Sequence, residues 1–355
     1  MKALRFHARN DLRIDDVDPP VPPGDDEVVV KVLQSGICGT DLHEYKAGPI
    51  LVPTTPHPFT GAVAPQILGH EFSARVTAVG RQVSDVKVGD RVAIIPHLNK
   101  PGDYFTRRNL GHISPATGLV GLSWQWGGMG EHAMLPSQNV VKLPDKVSDE
   151  QGAIAEPASV ALNAIDQAGV FPGSTVLVTG AGPIGALVAL AAVYAGAASV
   201  YVFEPNAARR ARLADFKGVT IHNGTRDELL DILSRETEGG MGVDICIECA
   251  GHQDALTLCL DAVKRTGTIA QVGLFVKTPM LDMFKVSEKA VRIMGCWGFP
   301  ITSGPRVIAM IASGRFPVEK IITGRVALDD AIKGGFDELG KPGGDHLKIL
   351  IGIGQ

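Results

Sequence analysis

Through roughly the first 150 positions, apolar and polar residues alternate in short runs. Residues 27–33, 71–79, 90–95 and 131–143 each read as a half-buried strand. Turn signals such as Pro22-Pro23-Gly24 and Val88-Gly89-Asp90 separate them. From Ser148 the texture changes. Short apolar runs at 176–179, 200–204, 219–222, 243–248, 268–273 and 292–296 are mostly spaced by stretches of helical length, such as 184–195 and 206–216. That alternation predicts an α/β chain with a doubly wound parallel sheet. Beyond about residue 300, helices are expected around 305–313 and 328–339, then a closing strand at 347–353. The expected division is a β domain over 1–150, completed by a returning tail 299–355, and a parallel-sheet domain over 151–298.

Composition narrows the class. With 355 residues, 45% hydrophobic and 20% charged, the chain matches an ordinary globular protein of two domains. A net charge of −4 supplies no basic footprint for nucleic acid or for an anionic membrane. The five cysteines, at 38, 246, 249, 259 and 296, are odd in number and scattered, which argues against a disulfide framework. Residues 1–16 lack the apolar core of a signal peptide, so a cytoplasmic location is expected. Between Asp166 and Glu204 there is no charged residue, a run long enough to span a bilayer. It is interrupted, however, by Pro172, Gly173, Pro183 and a glycine cluster. The expectation is therefore strand, loop, buried helix, strand.

The same region carries chemistry. Val176 to Thr179 runs into Gly180-Ala181-Gly182-Pro183-Ile184-Gly185 and then an alanine-rich stretch. In a G-x-G-x-x-G turn the first glycine permits the bend, the second admits a pyrophosphate close to the backbone, and the third lets helix pack on strand. The helix N-terminus then offers N–H groups to the anion. Glu204 ends the next strand, where a carboxylate accepts hydrogen bonds from an adenosine ribose and repels a 2′-phosphate. The expected cofactor is NAD(H). Arg209 and Arg210 follow closely and could meet the cofactor, or simply form a solvated face.

In the first domain, Gly36-Ile-Cys38-Gly-Thr40-Asp-Leu-His43 and Gly69-His70-Glu71 stand out, with Glu156 in Ala153-Ile-Ala-Glu156-Pro157. Thiolate, imidazole and carboxylate are ligands that zinc accepts in an open catalytic site. The gap from Cys38 to His70 is not a local metal-finger spacing, and each residue has a plain structural alternative. Spacing alone leaves both readings open.

Taken together, these segments, Val88-Gly89-Asp90-Arg91-Val92 and the glycine fingerprint resemble the zinc-dependent medium-chain dehydrogenases over essentially the whole chain. The segment from Gly48 through His57 to Gly61 and the Cys38–Tyr45 stretch are similar to the 2,3-butanediol dehydrogenase branch, which is close to the sorbitol dehydrogenases. The resemblance implies a GroES-like catalytic domain and a Rossmann cofactor domain. It implies one catalytic zinc on Cys38, His70 and Glu156, with Glu71 as an alternative ligand. It further implies Thr40 as the hydroxyl contacting the alcohol and His43 as the outer end of a proton relay. Pro183, Ile184, Arg209, Val272, Gly273 and Leu274 are implied at the cofactor. The partner is a small alcohol or ketone, and the enzyme is expected to be a homodimer or homotetramer.

One departure stands out. Many members of that family hold a second, structural zinc on four cysteines, yet no cysteine lies between Cys38 and Cys246 here. The corresponding stretch, 96–112, offers only His97, His112 and Asp103, so the structural site is expected to be lost. Two rivals share the fold: a polyol dehydrogenase, and a zinc-free enoyl or quinone reductase, against which Cys38, His70 and Glu156 argue. A non-catalytic nucleotide-binding scaffold is a third, against which Thr40 and His43 argue.

Overall fold

A computed structural model describes residues 1–341 and 343–354. Contacts within it divide the chain into two compact units, Met1–Ser159 with the tail from Phe299 onward, and Val160–Gly298.

In the first unit, period-2 alternation becomes a mostly antiparallel sheet. Its order is Val140–Lys142, Arg91–Ile94, Glu71–Val79, Glu27–Gly36, Lys348–Gly352 and Ile322–Ala327, and His132–Pro136 also pairs with Glu27–Gly36. Val28, Val30 and Val32 send their side chains into one core with Phe72, Ala74, Val76, Ile349 and Ile351. The closing strand places Leu350 opposite Gly36, so the tail does return to the first sheet. The apolar run 131–143 is not one strand but two. Ser137–Asn139 forms a 3-10 turn between them, because buried Asn139 spends its amide on the carbonyls of Ile95 and His97 at 2.7 and 2.9 Å. The helix expected at 328–339 is a 3-10 turn, Leu328–Asp330, followed by a widened helix, Ala331–Asp337. There Gly335 lets the backbone approach the Ile37 side chain. A hairpin of Lys2–Ala8 and Asp11–Asp16 opens the chain.

The second unit holds an all-parallel sheet in the order Val219–His222, Ser199–Phe203, Thr175–Thr179, Val243–Glu248, Val263–Gln271 and Arg292–Gly295. Numbered by sequence within the unit, this is 3-2-1-4-5-6, with the order reversing between the first and fourth strands. The uncharged run resolves into Thr175–Thr179, the buried helix Pro183–Tyr194 and Ser199–Phe203. The helix expected at 206–216 is shorter, Ala207–Arg212, capped by the Asn206 side chain. Among the described residues no helix is long and apolar enough to cross a membrane.

Candidate metal centre and dinucleotide site

The strand Glu27–Gly36 delivers Cys38 to the start of the helix Gly39–Ala47. Cys38 has the extended backbone of an N-cap, and its N–H donates to Asp41 Oδ2 at 3.0 Å. The other oxygen of the same fully buried carboxylate lies 3.5 Å from His70 Nδ1. One buried aspartate therefore closes the helix cap and sets its other oxygen beside the imidazole as an ion-pair contact.

Glu71 opens the neighbouring strand with His70 immediately before it, and the antiparallel register sets Glu71 opposite Gly36. A side chain at position 36 would collide with the Glu71 carboxylate, so only glycine leaves room for it to lie across the strand. Both Glu71 oxygens accept from Lys348 Nζ, at 2.7 and 2.6 Å, and the same ammonium donates to the Ile37 carbonyl at 3.0 Å. Lys348 is 2% exposed and Glu71 1%.

Cys38, His70 and Glu71 present ligand atoms that all lie within 4.8 Å of one another. A carboxylate retains lone pairs while accepting from an ammonium, so Glu71 stays chemically competent as a ligand. The donor set, with His70 and Glu71 buried and Cys38 half-buried, is of mixed S, N and O type and fits a zinc ion at an open site. No second group of three such side chains comes together among the described residues. Burial disfavours a charge on His70, but Asp41 and Cys38 outweigh it and hold the imidazole pKa well above its ordinary value. For Lys348, burial is likewise outweighed, here by Glu71 and Cys38, and its pKa is raised.

Glu156 stands in the first turn of the helix Ala155–Ala168, buried and outside the group of three. Burial pushes its carboxyl up to about 7, against the pull of nearby His70 and with Glu71 reinforcing the rise. Thr40 places its hydroxyl oxygen 3.7 Å from Cys38 Sγ. His43 lies three residues further along the same helix and is exposed.

In the second unit, a cavity of about 640 Å³ opens at the carboxyl ends of the first and fourth parallel strands. Gly180, Gly182, Glu204 and Arg209 line it. Gly180 adopts φ +91°, which strains any other residue. Gly185 is not at the wall. It packs against the Gly180 carbonyl, which is its helix-on-strand role. Glu204 Oε2 accepts from Ala181 N–H and Oε1 from Asn206 N–H, each at 2.8 Å, so the carboxylate ties the glycine loop to the strand end. Such a cradle, with a helix N-terminus above it and a fixed carboxylate at its rim, fits a dinucleotide. Pro183, Ile184, Val272, Gly273 and Leu274 fall outside the lining. Val272 and Gly273 donate instead to the Glu248 carbonyl at 2.9 Å.

Several residues that shape these sites were not anticipated. Asp41 was readable as a cap but not as the partner of His70, and Lys348 reads simply as a polar position in a strand. Cys249 and His252 join the cofactor cavity from one loop and Arg226 from the start of the helix Arg226–Glu236, with no shared motif to announce them.

Residues 24–145 match the family of the alcohol dehydrogenase GroES-like domain, and residues 183–313 match that of the zinc-binding dehydrogenases. The chain is 34% identical to a (R,R)-butanediol dehydrogenase of Bacillus subtilis, over 99% of each chain. It is 33% identical to a sorbitol dehydrogenase of Bos taurus, covering 98% of this chain and 95% of that one. The crystal structure of the 2R,3R-butanediol dehydrogenase from Bacillus subtilis superposes with a TM-score of 0.91 over 99% of both chains.

Proposed function

This chain belongs to the zinc-dependent medium-chain dehydrogenase/reductase family, and we propose that it interconverts a small vicinal diol with its α-hydroxyketone, using NAD(H). The observation that carries the reading is the convergence of Cys38, His70 and Glu71 beside the Thr40 hydroxyl. The likeness to butanediol dehydrogenases over the whole chain supports a vicinal diol as substrate. Cys38 and His70 would hold the zinc, with Glu71 or Glu156 as the third ligand. When bound, zinc lowers the pKa of the alcohol and polarises the ketone, while NAD+ provides the hydride acceptor.

The chain's own residues do the rest. Asp41 sets a negative charge beside His70 and raises the basicity of its imidazole. Lys348 offsets the negative charge that Cys38, Glu71 and Glu156 bring together. Thr40 Oγ1 would accept the substrate hydroxyl proton while giving its own to the relay through the cofactor ribose, at whose outer end exposed His43 would pass a proton to water. Glu204 sits where a ribose is hydrogen-bonded and a 2′-phosphate repelled. The first unit is thus the catalytic domain and the second the cofactor domain.

We also infer a homodimer or homotetramer built on the second unit. Its edge strand Arg292–Gly295 is exposed along its length, beside exposed Val276, Met280, Met283, Phe284 and Trp297. An open strand edge with that much apolar surface fits a second copy of the chain. Five unpaired thiols accord with a reducing, cytoplasmic setting.

The test is a rate panel with NAD+ across butane-2,3-diol, butan-2-ol, sorbitol and xylitol, with zinc measured on the dialysed protein. The diol should show the highest kcat/KM, with about one zinc per chain. Faster turnover of sorbitol or xylitol would overturn the diol assignment, and full activity without metal would overturn the mechanism.

A further inference from the structure

Beside the metal centre, His97 is buried at 5% exposure, and its Nδ1 has no hydrogen-bond partner. His97 opens the short strand His97–Leu98, which pairs with Gly118–Leu119, just ahead of Gly121. The backbone is pinned there from three sides. Asn139 donates to the carbonyls of Ile95 and His97, Val120 N–H donates to the Pro96 carbonyl at 3.0 Å, and Gly121 packs directly on the Gly69 backbone.

Alternation along the strand decides which way the ring faces. Leu98 points into the β core, so its strand neighbour His97 lies on the opposite face. On that face the Phe299 ring meets it edge-on at 5.0 Å, and the His112 ring stands at 6.2 Å. His70 is close enough for like charges to repel. Burial first, then His112 and His70, bring the His97 pKa down to about 3. The ring is therefore neutral at any working pH, with one N–H to donate and one lone pair to accept.

A buried polar atom without a partner costs free energy, and a ligand that supplies the partner recovers it. The diol reading leaves one oxygen unaccounted for, on the carbon next to the reacting one. We propose that His97 binds this second oxygen and is the residue that prefers vicinal diols and α-hydroxyketones over simple secondary alcohols. The inference rests on the diol reading above. A neutral imidazole suits both oxidation states of the substrate, since it can donate to a carbonyl or exchange bonds with a hydroxyl.

The experiment compares kcat/KM for butane-2,3-diol and butan-2-ol in wild type, His97→Leu and His97→Gln, with zinc content and melting temperature measured on each. His97→Leu should lose about 10- to 100-fold on the diol and change little on butan-2-ol, which has no second oxygen to bind. His97→Gln, which keeps a donor and an acceptor, should recover part of the diol rate. It also serves if the leucine variant does not fold. An equal fall on both substrates, or a diol preference that survives both variants, would overturn the role of His97 alone. A wild type with no diol preference would overturn the diol reading first, and His97's role with it.

Discussion

Replacing Lys348 by Met removes the cation bound to a carboxylate that is itself 1% exposed. The variant keeps the apolar stem but strips Glu71 of two charge-assisted hydrogen bonds and the Ile37 carbonyl of the bond it accepts from the same ammonium. Glu71 would then stay charged beside Cys38 with no compensation, or take up a proton. Breaking a buried pair from one side costs about 3–5 kcal/mol, because the remaining charge has lost its solvent as well as its partner. Lys348→Met should therefore lose about that much stability in zinc-stripped protein. Lys348→Met with Glu71→Met should recover most of it. Zinc should shrink the penalty, since a divalent ion at Cys38 and His70 offers Glu71 another positive charge.

The sign of the pH dependence follows from the raised Lys348 pKa. The pair's contribution is complete below the unfolded lysine value of about 10.4 and fades only as pH rises through the higher folded value. The lysine's own titration should thus leave the difference between wild type and variant unchanged up to pH 9. Glu156, pushed up to about 7 by burial but drawn down by Lys348 among others, should widen it as pH rises past 7. Urea unfolding followed by tryptophan fluorescence is suited to this measurement, as Trp124 and Trp126 lie in the same unit as the pair. A single variant within about 1 kcal/mol of wild type, or a double variant as unstable as the two singles summed, would refute the reasoning.

Three further outcomes are expected. Glu204→Ala should narrow the preference for NAD over NADP by at least about tenfold in kcat/KM, through lost ribose bonds and lost repulsion, and equal cofactor use by wild type would contradict the assignment. His43→Ala should slow diol oxidation at pH 6–7 by about 10-fold or more, less at higher pH, with partial rescue by imidazole. A loss that is constant with pH and unmoved by imidazole would make His43 a binding residue only. Phe284→Glu, placing a charge on a side chain 80% exposed, should lower the mass seen by light scattering, and an unchanged mass would move the subunit contact elsewhere.

Legibility from the chain alone depended on where each residue's partner lies. The strands Glu71–Val79, Val219–His222 and Val243–Glu248 have the bounds that their apolar runs suggest, because turn residues close both ends and the interior is β-branched or aromatic. The strand over 131–143 failed at Asn139, whose amide bonds a distant segment and so breaks a run that periodicity carries straight through. The candidate site divides in the same way. Cys38 and His70 were readable by type, because few side chains can bind zinc. Asp41 was half readable: a carboxylate three residues after a helix start is a local capping signal, whereas its contact with His70 is created by the sheet. Lys348 lies 277 residues from Glu71 in a stretch whose alternation suggests a lysine facing water. Only the antiparallel pairing of the tail with Glu27–Gly36 turns it inward. His97 stood in the stretch left by an expected lost zinc site, and nothing local distinguished it from a remnant. Residues that bind by their own chemistry can be picked out of a sequence. Those that orient, neutralise or discriminate take their meaning from neighbours that the fold supplies, and here these are Asp41, Lys348 and His97.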